Sequence, residues 1–429
     1  MKKPRRAPQT LFTRCCIAGG GPAGMMLGFL FARAGIDVIV LEKHADFFRD
    51  FRGDTIHPST LELMHELGLL RRFLKLPHQE VREVTGLVGD TPVHLADFTH
   101  LPTRAKFLAF MPQWDFLNFL AREGKRYRGF RLMMRAEATD LIRQGDAVAG
   151  LRVKTERGEI EIRAPLVVAA DGRHSVLRER ARLTIDDFGA PMDVLWLRLS
   201  RKRNDPHQVL GRIAAGRLFV MLDRGDYWQC AFVIAKGSIE KLRAKGLDAL
   251  RAEIVRVEPR LRDRVKEIRT WDDVKLLTVA VDRLRQWFLP GLLCIGDAAH
   301  AMSPVGGVGI NLAVQDAVAA ANLLWQPLRD GAPTVDDLRA VQKRRMLPTR
   351  VIQRMQVFIQ NRIIRGVLAS TATPRAPWIV QLVNRYPILR RIPARLIGVG
   401  VRPEHIATPE AAPAKAEKRA RRKYRRRRL

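Results

Sequence analysis

The stretch Thr13-Arg14-Cys15-Cys16-Ile17-Ala18-Gly19-Gly20-Gly21-Pro22-Ala23-Gly24 decides the fold. Residues 13–18 read as a short buried strand. The glycines read as a turn, about Pro22 to Ala34 as a helix, and Asp37 to Leu41 as a second strand. A strand, a helix and a strand in about thirty residues form the smallest parallel crossover. Within the turn, Gly19-x-Gly21-x-x-Gly24 has the spacing of a dinucleotide fingerprint. Its first glycine permits the tight turn, the second admits a pyrophosphate and the third lets the helix pack on the strand. The helix start then offers free N–H groups and a positive dipole end to phosphate. Glu42 closes the second strand, eighteen residues past Gly24, where an acid can accept ribose hydroxyls. The plainer reading of the same residues is an ordinary glycine-rich turn between strand and helix.

The 429-residue chain is 47% apolar and 28% charged, which supplies a real core and excludes a disordered composition. Its formal charge of +32 points at first to nucleic acid or an anionic membrane. The excess is not spread evenly. Residues 1–14 carry +5, 415–429 carry +9, and 338–403 carry fourteen bases and no acid. Residues 15–337, which hold the motifs, carry only +6, so no specific nucleic-acid partner is expected. The four cysteines, Cys15, Cys16, Cys230 and Cys294, have no metal-ligand spacing and read as buried thiols of a reducing, cytoplasmic compartment. No metal site is expected. The basic start Lys2 to Arg6 is not followed by a signal-peptide core, because Gly19-Gly20-Gly21-Pro22 interrupts the apolar run. No run of about twenty apolar residues marks a transmembrane helix.

Further along, His57-Pro58-Ser59-Thr60 opens a helix, and 113–124 reads as another. Residues 130–170 alternate between turns and suggest antiparallel strands ending in Leu166 to Ala170. Residues 190–235 look like strands of a separate sheet, followed by helical pattern over 238–267. The strand Leu292 to Ile295 runs into a second glycine-rich loop and a long helix from about Ile310. Helical pattern resumes over 334–368, a Pro-broken apolar and basic stretch covers 376–402, and the composition of 404–429 predicts a disordered basic tail.

Two more motifs follow apolar strands: Asp171-Gly172-Arg173-His174-Ser175-Val176-Leu177-Arg178, and Gly296-Asp297-Ala298-Ala299-His300 running on through Pro304, Gly306, Gly307, Gly309 and Asn311. With the fingerprint, these make the chain resemble the class A flavoprotein monooxygenases, the group of p-hydroxybenzoate hydroxylase and the ubiquinone-pathway hydroxylases, over about 13–330. The resemblance implies an α/β fold. A Rossmann-like FAD-binding domain would take 13–75, 101–180 and 281–337, and a sheet-based substrate domain 76–100 and 181–280. A basic helical C-terminal segment would cover 338–403. It implies FAD as cofactor and NADH or NADPH as transient reductant, since only one dinucleotide fingerprint is present. FAD would meet Gly19, Gly21, Gly24 and Glu42, then Arg52 in Phe51-Arg52-Gly53-Asp54 and Gln113 in Met111-Pro112-Gln113-Trp114. Asp171, Gly296, Asp297, Gly309 and Asn311 would complete its site, with Asp297 on the ribityl chain.

The implied reaction is hydride transfer to FAD, reaction with O2, and hydroxylation of an aromatic substrate through a flavin C4a-hydroperoxide. A dehydrogenase on the same scaffold, without oxygen insertion, is the alternative. The Trp-x-Trp-x-Ile-Pro segment of flavin halogenases is missing, for no two tryptophans are spaced by one residue. Trp196, Phe219, Met221, Tyr227 and Trp228 either face the substrate or form the core of their sheet. Few polar anchors stand among them, which predicts an apolar aromatic substrate. No catalytic acid or base is assigned; His57 and His300 read as structural. The alternation of bases with Trp378, Ile379, Leu382, Leu389 and Leu396 suits an anchor on anionic membrane.

Overall fold

The computed structural model describes residues 9–48, 55–205, 210–372 and 376–413. A six-stranded sheet lies at its centre, in the order Phe288–Leu289, Leu292–Cys294, Leu166–Ala169, Cys15–Ala18, Val38–Glu42, Phe130–Met134. All pairings are parallel except the edge hairpin Phe288–Leu289 with Leu292–Cys294. Every residue of Cys15–Ala18 and Leu166–Ala169 is buried, as strands covered on both faces must be. The helices that matter here are α1 (Pro22–Arg33), α2 (Pro58–Glu66), α3 (Gln113–Gly124), α4 (Val176–Arg180), α5 (Gly309–Asp330), α6 (Val335–Ile359), α7 (Trp378–Arg385) and α8 (Arg391–Gly398).

Helix α1 packs between α3 and α5 against the central sheet. An antiparallel layer of Ala136–Gln144, Ala147–Thr155 and Gly158–Arg163, with Gln9–Phe12 added in parallel, contributes Leu151, Val153 and Ile162 to the same core. The stretch 130–170, expected as antiparallel throughout, therefore divides. Phe130–Met134 and Leu166–Ala169 join the parallel sheet. Alternation gave the strands but not their partners; the unbroken apolar run of Leu166–Ala169 is the mark of a strand buried on both faces. Cys15–Ala18 has Val38–Glu42 on one side and Leu166–Ala169 on the other. The order reverses there, which opens a crevice beyond its carboxyl end, and Gly19 stands in it.

The second sheet has seven strands, in the order Lys275–Leu277, Met192–Ser200, Tyr227–Ala235, Arg217–Asp223, Leu210–Ala214, Glu83–Val88, Thr91–Asp97. Side chains alternate across it. Leu195, Leu197, Leu199, Phe219, Met221 and Trp228 pack under the helix Leu247–Val257. Val194, Trp196, Leu218, Val220 and Val233 form the opposite face, against Val305 and the C-terminal residues Ile359, Ile364 and Leu368.

Residues 305–330 are long and apolar enough to cross a membrane by length and composition, but most of this segment is buried in the core. After α6 the chain makes a π-helical turn, Gln360–Ile364. The expectation of a disordered tail from 404 is corrected over 404–413, which runs without regular secondary structure along the core of the central sheet. Glu404 pairs with Arg344 and Arg345, and Glu410 with Arg33. The basic run beyond 414 dominated the composition of the window and hid two acids that have buried or half-buried partners. Residues 414–429 lie outside the described residues.

Candidate active site

Four segments far apart in sequence meet at the carboxyl ends of the central strands: 19–24, 42, 171–178 and 296–311. Gly19 has φ +110°, and a Cβ there would stand 2.2 Å from the Ala170 carbonyl oxygen. At Gly24 a Cβ would meet the Gly19 carbonyl oxygen at 2.0 Å. Gly21 is different: its φ is an ordinary −74°, and a Cβ would touch nothing within 4 Å. The space in front of Gly21 is open, at the start of a helix with no side-chain cap and no acid in its first turn. That is an anion cradle of the kind a pyrophosphate fills. Glu42 Oε2 accepts from the Gly20 N–H at 3.2 Å and Oε1 from the His44 N–H at 3.0 Å. The carboxylate is thereby held over the glycine loop.

Asp171 follows the strand Leu166–Ala169. Its Oδ2 accepts from the Leu177 N–H at 3.3 Å, while Ser175 caps α4 by accepting from the Arg178 N–H at 3.0 Å. Oδ1 of Asp171 is buried with no hydrogen-bond partner. Burial pushes this carboxyl up, against the Ser175 hydroxyl and the backbone N–H groups that favour its charge. An unmatched buried acceptor beside Gly19 fits a ligand hydroxyl. Asp297 faces Arg173 at 3.7 Å, both half-exposed, so the second and third motifs meet. Gly306 and Gly307 have φ of +79° and +62°, conformations that suit glycine. They lead into α5 at Gly309, whose N-terminus also lacks a side-chain cap and a first-turn acid.

Two of the expected residues stand apart. Asn311 is buried, and its Oδ1 accepts from Ser59 Oγ at 2.7 Å and Thr60 Oγ1 at 2.8 Å, which ties α5 to α2. Its side-chain oxygen is thus committed to the protein, while its backbone N–H lies in the first turn of α5. Gln113 begins α3 half-buried, and among the described residues no hydrogen bond joins it to the others. Arg52 lies outside the described residues. The open cradle at Gly21, the unpaired Asp171 oxygen and two uncapped helix starts fit FAD.

Sequence reading missed a buried charge chain behind this site. His300 Nε2 lies 2.6 Å from Asp316 Oδ2, which also accepts from the Gly296 N–H at 3.0 Å. Arg345 Nε donates to Asp316 Oδ1 at 2.9 Å, and Arg345 pairs with Glu404 at 3.2 Å. Burial works against the Asp316 charge, but His300 and Arg345 hold its carboxyl below the usual range. The signal available in sequence was an Asp and an Arg inside otherwise amphipathic helices. His57 is fully buried between the carbonyls of Ile397, at 2.7 Å, and Gly307, at 2.9 Å. Burial pushes its imidazole down, opposed by these two acceptors. It joins the flavin-side loop to the C-terminal helices.

The family model "FAD binding domain" matches residues 13–355. The 6-methylpretetramide 4-monooxygenase of Streptomyces rimosus is 30% identical over 91% of this chain and 94% of its own. Three further relatives, at 26–28% identity, are longer, and the chain spans 60–64% of their length. Among solved structures, the anhydrotetracycline hydroxylase of Streptomyces rimosus has a TM-score of 0.70 at 22% identity, covering 90% of this chain and 76% of that one. A flavin-dependent brominase reaches 0.73 at 17% identity, covering 97% and 100%. At these identities the two structures share the fold and differ in reaction, so the activity class rests on the sequence relationship. The chain belongs to the FAD binding domain family and, within it, to the FAD-dependent monooxygenases.

Proposed function

We propose that this enzyme uses NADH or NADPH and O2 to hydroxylate an extended, apolar aromatic substrate, akin to the 6-methylpretetramide in the name of its 30%-identical relative. The observation that carries the reading is the apolar sheet face of Val194, Trp196, Leu218 and Val220 set against Val305 of the loop leading to Gly306 and Gly307. Such a wall excludes water and offers area to fused rings rather than charge to a carboxylate. Bound FAD supplies the oxygen-activating redox chemistry. The chain supplies orientation. Glu42, Asp171 and Asp297 would accept hydrogen bonds from sugar and ribityl hydroxyls, Gly19, Gly21 and Gly24 would admit the pyrophosphate, and Arg52 and Gln113 would contact the cofactor. Gly296 fixes the loop that carries Asp297. The N–H groups from Gly309 to Asn311, at a helix start with no side-chain cap, would offer donors to an anionic part of the bound cofactor.

The FAD side is proposed to comprise 13–75, 101–180 and 281–337, and the substrate side 76–100 and 181–280. A cytoplasmic, reducing location is supported by four cysteines that are free and buried. The test is oxygen-18 incorporation from 18O2 during NAD(P)H oxidation, over a panel from hydroxybenzoates to fused-ring phenols. Labelled product from the fused-ring compounds is expected. Turnover without label would favour a dehydrogenase on the same scaffold, and stimulation by polar hydroxybenzoates alone would overturn the substrate reading.

A further inference from the structure

We infer that the outer face of α7 and α8 docks on an anionic lipid surface. Asn384 orients α7: its side chain accepts from the His94 N–H at 3.1 Å and donates to the Pro92 carbonyl at 3.2 Å, on the edge strand Thr91–Asp97. With Asn384 inward, helical geometry turns Trp378, Ile379 and Leu382 outward. In α8 the inward positions are Ala394 and Gly398, and a Cβ on Gly398 would stand 2.7 Å from Leu101. Ile392 then lies on the opposite side and Arg395 on the flank, while Arg391, three residues before Ala394, shares the inner side; Ile388 stands exposed in the preceding turn, Pro387–Arg390. The exposures agree with this geometry: Trp378 is 72%, Ile388 65% and Ile392 66% exposed, and Ile379, Leu382 and Tyr386 are 41–49% exposed.

Large apolar side chains exposed side by side mark an interaction surface. The charge around them selects the occupant. Arg385 and Arg395 interleave with the apolar residues and, among the described residues, make no ion pair, while Arg391 lies close enough to Asp97 of the edge strand to act on its carboxylate. Residues 338–403 contain no acid at all. A second copy of the chain would bring the same bases to a symmetric contact, and the chain's own basic ends share their sign. An anionic bilayer has the opposite sign and accepts the apolar side chains below its headgroups. Trp378 and Tyr386 are the residue types that settle at that depth. The inner side of the same segment reaches the Gly307 loop through His57.

The full chain is mixed with sedimentable vesicles of equal parts phosphatidylcholine and phosphatidylglycerol, and separately with phosphatidylcholine alone. Co-sedimentation is expected with the first and little with the second. A variant carrying Trp378→Ser, Ile388→Ser and Ile392→Ser is expected to bind about tenfold more weakly or worse, with FAD content and NAD(P)H oxidation in solution unchanged. The variant keeps both basic ends, so attraction through those ends alone would leave its binding intact and overturn the inference. No binding by the natural chain, or equal binding to neutral vesicles, would also overturn it. A dimer in sedimentation velocity that the variant converts to monomer, without vesicle binding, would assign the face to a second copy instead.

Discussion

Gly21 is a glycine whose side chain could be added without disturbing the protein itself. Its backbone is extended and its Cβ direction is open, whereas Gly19, Gly20 and Gly24 each point at an atom closer than 3 Å. On the proposed function, the requirement at Gly21 comes from a ligand. Gly21→Val is therefore expected to leave the unfolding midpoint of the apoprotein unchanged and to weaken FAD binding by about tenfold or more, some 1.4 kcal/mol, measured by titration of flavin fluorescence. Equal affinity would remove Gly21 from the pyrophosphate site. A second residue-scale prediction concerns Gln360, fully buried in the π-helical turn beside the apolar sheet face. Its Nε2 donates to the Gly189 carbonyl at 3.1 Å, and its Oε1 has no partner. An acceptor left unmatched there suits a substrate hydroxyl. Gln360→Leu should raise KM about five- to a hundredfold, the 1–3 kcal/mol of a lost buried hydrogen bond, with kcat less affected; an unchanged KM would make Gln360 structural only.

At the scale of elements, the join between α5 and α6 determines how firmly the Gly296 loop is held. Asp316 and Arg345 are 0% and 1% exposed, and Asp316 also receives His300 and the Gly296 N–H. Asp316→Asn leaves Arg345 buried with Glu404 as its remaining acid, and should cost about 3 kcal/mol in urea unfolding at neutral pH. The folded-state carboxyl is held below its ordinary value, so its contribution is full above the unfolded pKa and disappears as pH falls through the folded one. The gap between natural chain and variant should therefore narrow in acid, and a gap that widened would reject this account. These elements also show what sequence could and could not disclose. Three glycine-rich loops after apolar strands were legible, because tight turns at strand ends leave a residue signature, and the structure brings them together at the carboxyl ends of the central sheet. The apolar face proposed to meet the substrate was not legible. Alternation separates Trp196 from Phe219, Met221 and Trp228, but which face meets the flavin loop depends on where Val305 and Ile364 arrive from more than a hundred residues away. The Asp316 chain was hidden for the same reason, since its members lie on four separate segments.

For the whole molecule, charge and connectivity meet in residues 404–413. The +32 total describes the ends and the acid-free segment 338–403, while the acids that follow act as anchors. Glu404 is 6% exposed against Arg345, His405 and the Ile406 N–H engage Glu66 on α2, and the Ala411 N–H reaches the Arg33 carbonyl at 2.7 Å. Tyr127 donates to Glu410 at 2.7 Å; burial and that carboxylate push its hydroxyl up to about 12. The chain thus returns from the C-terminal helices α7 and α8 to bind α1, α2, α5 and α6 at once, and closes the fold over the elements that position Gly296. A chain ending at Pro413 should keep the unfolding midpoint and FAD content of the full protein, because every one of these contacts remains. A chain ending at Pro403 loses them all and strands Arg345 with a single buried partner. It should be destabilised by about 3–5 kcal/mol and retain less FAD after gel filtration. If the two truncations behaved alike, the strap would be ornament on a fold already closed without it, and the coupling of Glu404 to the flavin loop through Arg345 and Asp316 would be rejected.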